Sequence, residues 1–233
     1  MQVTLISHTE NPVLACAFAA RTCVTESPGV PQDAEGVVRR VLGYGHESIA
    51  EHASFTFLIE GISRACSHQL VRYRHASYAQ QSQRYVPLDT STDGTEYYVV
   101  PESISSSSPQ AVVAFGNAML ECERAYKKLL DAGIPPEDAR YILPNATCTN
   151  ITVTVNAAEL RHMMRQRLCT RAQWEIRDLV GAMVDQVNEV APVLFEGVGP
   201  ACLNGECPEG AMSCGKPWKA EGSGISANCC ALM

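Results

Sequence analysis

The sequence predicts a fold of the α+β class, a mixed α/β arrangement, and three observations predict it. Segments with strand periodicity are few and lie far apart, as in "FTFLIE" at 55–60 and "NITVTV" at 150–155. Longer segments with helical spacing of apolar residues fill the intervals. With 46% hydrophobic residues in 233 positions the chain can bury a full core, and its length suits one domain with appendages.

Taken in order, residues 10–23 form a helix on the spacing of Val13, Leu14, Ala17, Phe18 and Ala20. Residues 33–42 form a second, ended by Gly43 and Gly45. "SIAE" at 48–51 fits a capping box, with the Ser48 oxygen taking an orphan N–H and Glu51 reaching back. After the strand at 55–60, "SRACSHQLVRY" reads as a helix capped by Ser63 that runs into the segment beginning at Val71. Residues 88–108 are polar and Ser-rich, a long surface connection broken only by "EYYVV" at 96–100. Ser108-Pro109 opens a long helix to Asp131, stopped by Gly133. Ile151, Val153 and Val155 alternate with threonines as a strand does, and Asn156 then caps a helix with Glu159 at the capping-box position. A last helix covers about 172–190, and from 197 the composition shifts to Gly, Pro and Cys.

The chain carries 18 Lys and Arg against 25 Asp and Glu, a formal charge of -7. That balance excludes a general polyanion binder, because bulk repulsion opposes nucleic acid or an anionic membrane. Positive charge must act locally. No apolar run of about eighteen residues offers a membrane span, and "MQVTLISHTENP" lacks a basic start before an apolar stretch, so the cytoplasm is the expected compartment. Of eleven cysteines, Cys16, Cys23, Cys66, Cys122, Cys148 and Cys169 fall in core elements and read as small buried hydrophobes.

Against this acidic background "VRYRHASYAQQSQRYV" at 71–86 concentrates Arg72, Arg74 and Arg84 among Gln80, Gln81, Ser82 and Gln83, with Gln69 just upstream. A planar guanidinium matches phosphate oxygens in pairs, and amides both donate and accept, so they can read a base edge or a flavin edge. Surface ion pairing is the plainer reading for any single arginine, but a solvated face does not need so many amides beside it. A second cluster, Arg161, Arg165, Arg167 and Arg171, follows the strand at 150–155. Ser82 has no elbow motif and no legible base, so a phosphate-binding hydroxyl is expected rather than a nucleophile. Neither a Walker motif nor a Rossmann glycine pattern is present. His46 and His52 do not make a metal set, and no metal is expected.

"GHESIAEH", "QLVRYRHASYAQQSQRY", "ARYILP" and "TVNAAELRHMMRQR", in that order, resemble the flavin-dependent thymidylate synthases over roughly residues 1–215. The family signature is Arg-His-Arg, seven residues, then Ser; here Arg72-Tyr73-Arg74 and Ser82 match it with tyrosine at the centre. The resemblance implies helices around a central, mostly antiparallel sheet in a homotetramer. It implies an FAD-dependent methyltransferase that converts dUMP to dTMP, with methylenetetrahydrofolate supplying the carbon, NADPH the reducing equivalents and non-covalent FAD carrying hydride. It implies residues 1–200 as the catalytic domain and 201–233 as a Cys- and Gly-rich tail.

Carried over position by position, the resemblance places dUMP on Gln69, Arg72, Gln80, Gln81, Ser82, Gln83, Arg84 and Arg140. It places FAD on His46, Ser48, Arg72, Tyr73, Arg74, Gln80, Asn156 and His162, and gives Arg167 the catalytic role beside the uracil imide. Arg161 and Arg165 read as ordinary surface or interface charges. The chain departs from the pattern at Tyr73, at Ala158 where some members have arginine, and at Arg171 where others have histidine. In the tail, Cys202, Cys207 and Cys214 leave a plain loop, a zinc site and redox pairing open, and Cys229, Cys230 and the terminal "CALM" are assigned no role. Two rival readings are a non-catalytic nucleotide- or RNA-binding module and an inactive family member in which Tyr73 has disabled flavin use.

Overall fold

A computed structural model describes residues 1–86, 88 and 97–218. The chain falls into two compact units that alternate along the sequence. The larger comprises Gln2–Ile59, Val71–Tyr78 and Thr152–Met233; the smaller comprises Met1, Glu60–Leu70 and Ala79–Ile151. The described strands form one antiparallel sheet of four in the order β1-β2-β4-β3, with β1 Gln2–His8, β2 Ser54–Ser63, β3 Ala76–Gln80 and β4 Cys148–Asn156. Both β2 and β4 pass from one unit to the other within their length.

In the larger unit the two-residue alternation of β2 buries Phe55, Phe57 and Ile59, while β4 buries Val153 and Val155. Helix α1 (Pro12–Thr22) and helix α2 (Ala34–Gly43) follow β1. The Asp33 carboxylate caps α2 by accepting from the Gly36 N–H at 2.8 Å. Later in the chain come α7 (Ala157–Arg167) and α8 (Trp174–Asn188). Leu160, Met163 and Met164 of α7 and Ile176, Leu179, Val180, Met183, Val184 and Val187 of α8 are buried. Each such side chain removed from water stabilises the fold by about 1.5–3 kcal/mol. Phe195 closes on Phe55 edge to face at 5.8 Å.

The smaller unit holds α3 (Arg64–Leu70), the short α4 (Glu102–Ser105), the long α5 (Pro109–Asp131) and the short α6 (Pro136–Ala139). Ser63 caps α3 as its hydroxyl predicts, accepting from the Cys66 N–H at 3.0 Å. Ser108 caps α5, Pro109 opens it, and Gly133 stops it at a φ of 79°, a left-handed conformation that glycine adopts without strain. Of the 23 residues of α5, only Tyr126 is buried.

Four expectations are corrected, and one strand is added. Ser48 is not a helix cap: residues Glu47–His52 form a tight 3-10 turn entered at His46, with no side-chain cap. The helix after Ser63 ends at Leu70, and the following segment forms β3 instead. The connection at 88–108 contains α4, and Tyr98 bridges to Thr147; most of its early part lies outside the described residues. β1 was not anticipated. Of the six cysteines expected to be buried, Cys16 and Cys66 are; Cys23 is exposed and Cys122, Cys148 and Cys169 are half-buried. Cys229, Cys230 and "CALM" lie outside the described residues. Among the described residues no helix is long and apolar enough to cross a membrane.

Candidate active site

Helix α7 starts directly where β4 ends. Asn156 makes this possible: extended at φ -82° and ψ 165°, it accepts the Glu159 N–H on its side-chain oxygen at 2.8 Å. The abrupt join fixes the rotation of α7. Its apolar residues and Arg161 enter the core, and Arg165 is exposed. At its C-terminal end Arg167 is half-buried and donates from Nε to the Tyr73 hydroxyl at 2.8 Å. That hydroxyl lies 2.9 Å from Oε1 of Gln166, to which it donates in turn. The Tyr73 ring is buried, packs edge-on against His162 at 5.8 Å, and has the Arg167 guanidinium carbon 5.6 Å from its centre. Tyr78 anchors the same residue by donating to its backbone carbonyl at 3.0 Å. Burial raises the Tyr73 phenol above its ordinary value, with the bond from Arg167 opposing it. Tyr73 therefore stays a neutral phenol near neutral pH.

Arg161 and Arg165 meet different company. Both donate to the carboxylate of Glu47, Arg161 at 3.0 Å through Nη2 and Arg165 at 2.9 Å through Nη1. Arg161 also donates to the Leu194 carbonyl at 2.5 Å. Its side chain is only 6% exposed, which corrects the expectation of a surface charge. The hydrogen bond from Arg165 is the main force holding the Glu47 carboxyl at about 2; partial burial opposes it and Arg161 adds to it. Arg165 remains at the surface. Glu47 thus ties the turn carrying His46 and Ser48 to α7.

The remaining cofactor candidates of the larger unit are open. Among the described residues, no side-chain hydrogen bond or ion pair occupies Arg72, Arg74, His46, Ser48 or His162, and all five are exposed. The donor set therefore fits a flavin dinucleotide: two uncompensated guanidinium groups suit a pyrophosphate, and a hydroxyl, two imidazoles and the unused Asn156 amide nitrogen suit ring and ribose edges. Arg171 is engaged elsewhere, donating to the Met212 carbonyl, with Glu209 at 3.4 Å.

The smaller unit holds most of the positions matched to the nucleotide. Gln80 donates from its amide to the Ser67 hydroxyl at 2.9 Å, and Gln81 accepts from the Asn150 N–H at 3.3 Å. Ser82 accepts from the Arg84 N–H at 3.2 Å, which shapes the turn. Gln69 lies along α3 with its amide 3.4 Å from the Ala65 carbonyl, and Gln83 is half-buried. Arg84 is paired with Glu137 at 2.7 Å. Arg140 donates to the Glu137 carbonyl at 3.1 Å and has no carboxylate partner among the described residues. Arg64 donates to the Gln81 carbonyl at 3.0 Å, and its proton affinity is lowered by burial first and by repulsion from Arg140 second. Two uncompensated cations close enough to repel each other favour an anion.

A family model described as "Thymidylate synthase complementing protein" matches residues 4–193. The flavin-dependent thymidylate synthase of Geobacter sulfurreducens is 50% identical over 224 residues, covering 93% of this chain and 94% of that protein. That of Clostridium tetani is 43% identical over 240 residues, covering 93% and 94%. The chain belongs to the flavin-dependent thymidylate synthase family. Its fold also matches a solved flavin-dependent thymidylate synthase of Helicobacter pylori, complexed with FAD and dUMP, at a TM-score of 0.70 and 24% identity, over 85% of this chain and 100% of that one.

For a flavin-dependent thymidylate synthase the sequence left four structural participants unnamed: Glu47, Gln166, Arg64 and Glu137. Glu47 follows His46 in a polar turn, and its partners Arg161 and Arg165 lie 114 and 118 residues away, so nothing local marks it. Gln166 and Glu137 are polar positions beside named arginines, and nothing local marks them. Arg64 does carry a local signal, since a basic residue opening α3 opposes the helix dipole and needs another reason to be there.

Proposed function

We propose that the chain catalyses reductive methylation of dUMP to dTMP, with methylenetetrahydrofolate as carbon donor, NADPH as reductant and non-covalent FAD as cofactor. Family membership carries the reaction class. The observation that supports the site is the uncompensated set Arg72, Arg74 and Arg167 in a chain of net charge -7. Bound FAD supplies hydride-carrying chemistry that amino-acid side chains lack.

The protein's own part is binding and polarisation. Arg72, Arg74, His46, Ser48, Gln80, Asn156 and His162 hold the dinucleotide, and Tyr73, buried with its hydroxyl engaged, supports that set by packing against His162. Arg72, Arg84 and Arg140 take the dUMP phosphate, while Gln69, Gln80, Gln81, Ser82 and Gln83 orient the nucleotide by hydrogen bonds. Arg167 faces the uracil imide and stabilises negative charge that grows there during reaction, the kind of preorganised cation that lowers a barrier. No covalent attack by Ser82 is needed, and its hydroxyl is engaged in shaping its own turn. Residues 1–200 form the catalytic part and 201–233 the appended tail, a division the family match at 4–193 supports. A homotetramer is the assembly that the family resemblance implies. A cytoplasmic setting is the reading that the sequence offers, from the absence of an apolar span and of a basic start before an apolar stretch.

The test is direct. Purified protein absorbs as a flavoprotein in the visible, and dTMP forms only when dUMP, methylenetetrahydrofolate and NADPH are all supplied. A colourless protein that titrates with RNA but not with FAD would replace this reading with the binding module. A yellow protein that forms no dTMP would make it an inactive member.

A further inference from the structure

The position where the family signature has histidine is occupied by a buried tyrosine that is bonded to the catalytic candidate itself. Three contacts define the arrangement. Arg167 donates from Nε to the Tyr73 oxygen at 2.8 Å, Tyr73 donates its hydroxyl proton to Gln166 Oε1 at 2.9 Å, and Tyr78 fixes the Tyr73 backbone at 3.0 Å. The terminal nitrogens of Arg167 have no protein partner among the described residues. No carboxylate pairs with it either, unlike Arg161 and Arg165 on the same helix.

We propose that Tyr73 is a positioning residue that grips Arg167 by its Nε and so presents the two terminal nitrogens, with full positive charge, to the uracil imide edge. A neutral phenol suits this task for a physical reason. A carboxylate would hold the guanidinium equally well but would cancel the charge that the imide must feel. A phenol oxygen accepts one N–H without cancelling anything. Its own proton goes to Gln166, an acceptor that cannot itself ionise, so the lone pair stays directed at Arg167. A histidine at 73 could accept the same N–H only while its accepting nitrogen is unprotonated, and near neutral pH that state is partly lost. Tyrosine removes that sensitivity. The charged and titratable groups facing position 73 are Arg167, His162 and Glu159 from α7 and Tyr78 from β3. Arg167 favours a neutral occupant and Glu159 a cationic one.

This inference rests on the reading that Arg167 faces the uracil, and the experiment separates the two. Flavin-loaded wild type, Tyr73→Phe, Tyr73→His and Arg167→Lys are compared in dTMP formation from pH 5.5 to 9. The same proteins are titrated calorimetrically with 5-fluoro-dUMP, whose imide is more acidic than that of dUMP. Phenylalanine keeps the ring against His162 and removes only the oxygen. Tyr73→Phe is expected to lower kcat on the order of tenfold to a hundredfold, with KM for dUMP changed less than about threefold. Its 5-fluoro-dUMP affinity should rise less steeply with pH than that of wild type, because the anion meets a less well-aimed cation. Tyr73→His is expected to recover rate above about pH 6.5 and lose it below, a dependence that Tyr73→Phe does not show. If Tyr73→Phe matches wild type in kcat and in the binding curve while Arg167→Lys loses both, Tyr73 does not position Arg167 and the proposal is overturned. If Arg167→Lys also matches wild type, the role of Arg167 fails and the proposal fails with it. If Tyr73→Phe lowers urea resistance and rate together, a Tyr73→His variant with no pH-dependent recovery overturns the proposal, and recovery upholds it.

Discussion

Arg161 and Arg167 lie on one helix and meet opposite surroundings. Arg161 is buried, bonded to a backbone carbonyl and to Glu47, which also takes Arg165. Among the described residues, the hydrogen bond of Arg167 goes to a neutral phenol and no carboxylate pairs with it. The same contrast appears in the smaller unit, where Arg84 is paired with Glu137 while Arg140 has no carboxylate among the described residues. Counting arginines in the sequence treats all of these alike. A guanidinium whose charge is already matched holds structure together, and one left unmatched is available to a ligand.

The largest expected effect comes from the unmatched side. Arg167→Lys should keep its flavin and lose dTMP formation on the order of a hundredfold to a thousandfold, because an ammonium cannot reproduce the planar fork. Single-turnover absorbance should place the loss after flavin reduction. Arg165→Lys, a surface member of the matched pair, should retain most activity; equal loss in both would erase the contrast.

The next effect belongs to the matched side and appears in stability. Glu47→Gln leaves the buried Arg161 without a counter-charge and should cost about 2–3 kcal/mol in urea unfolding. Its pH dependence has a definite sign. The folded-state carboxyl is lowered from 4.5 to about 2, so its contribution is present above the ordinary value and is lost as pH falls toward 2. With the side chain one-third exposed, screening reduces that contribution to about 1–2 kcal/mol. Wild type should therefore lose this increment between about pH 5 and 2, and Glu47→Gln should not. Parallel pH curves would mean that Glu47 contributes nothing through its charge.

A smaller effect tests whether pairing really takes a cation out of use. Arg72→Ala should weaken dUMP binding about tenfold to thirtyfold and leave deoxyuridine nearly unaffected. Arg84→Ala should cost less, since Glu137 already holds that charge. Calorimetry on both ligands reads this, and a larger loss at Arg84 would reverse the ordering. Smallest of all, Ser82→Ala removes one hydrogen bond to the Arg84 N–H and should lower turnover by a factor of about two to ten without abolishing it. Complete loss with dUMP still bound would point to a covalent role.

The sequence by itself determined what depends on near neighbours. Asn156 capping α7, Ser108 and Gly133 bounding α5, and the alternation that buries Val153 and Val155 follow from propensity, capping and period over a few residues. The resemblance named the candidate positions without saying which were free. β3 was hidden because "ASYAQ" is small and polar; its strand form comes from pairing with β4 rather than from a pattern of its own. Only the tertiary structure decided the state of each arginine. Glu47 meets its partners across 114 and 118 residues, and Tyr73 meets Arg167 across 94. Whether a charge is matched depends on which side chains the fold brings within about 4 Å, and no local rule carries that distance.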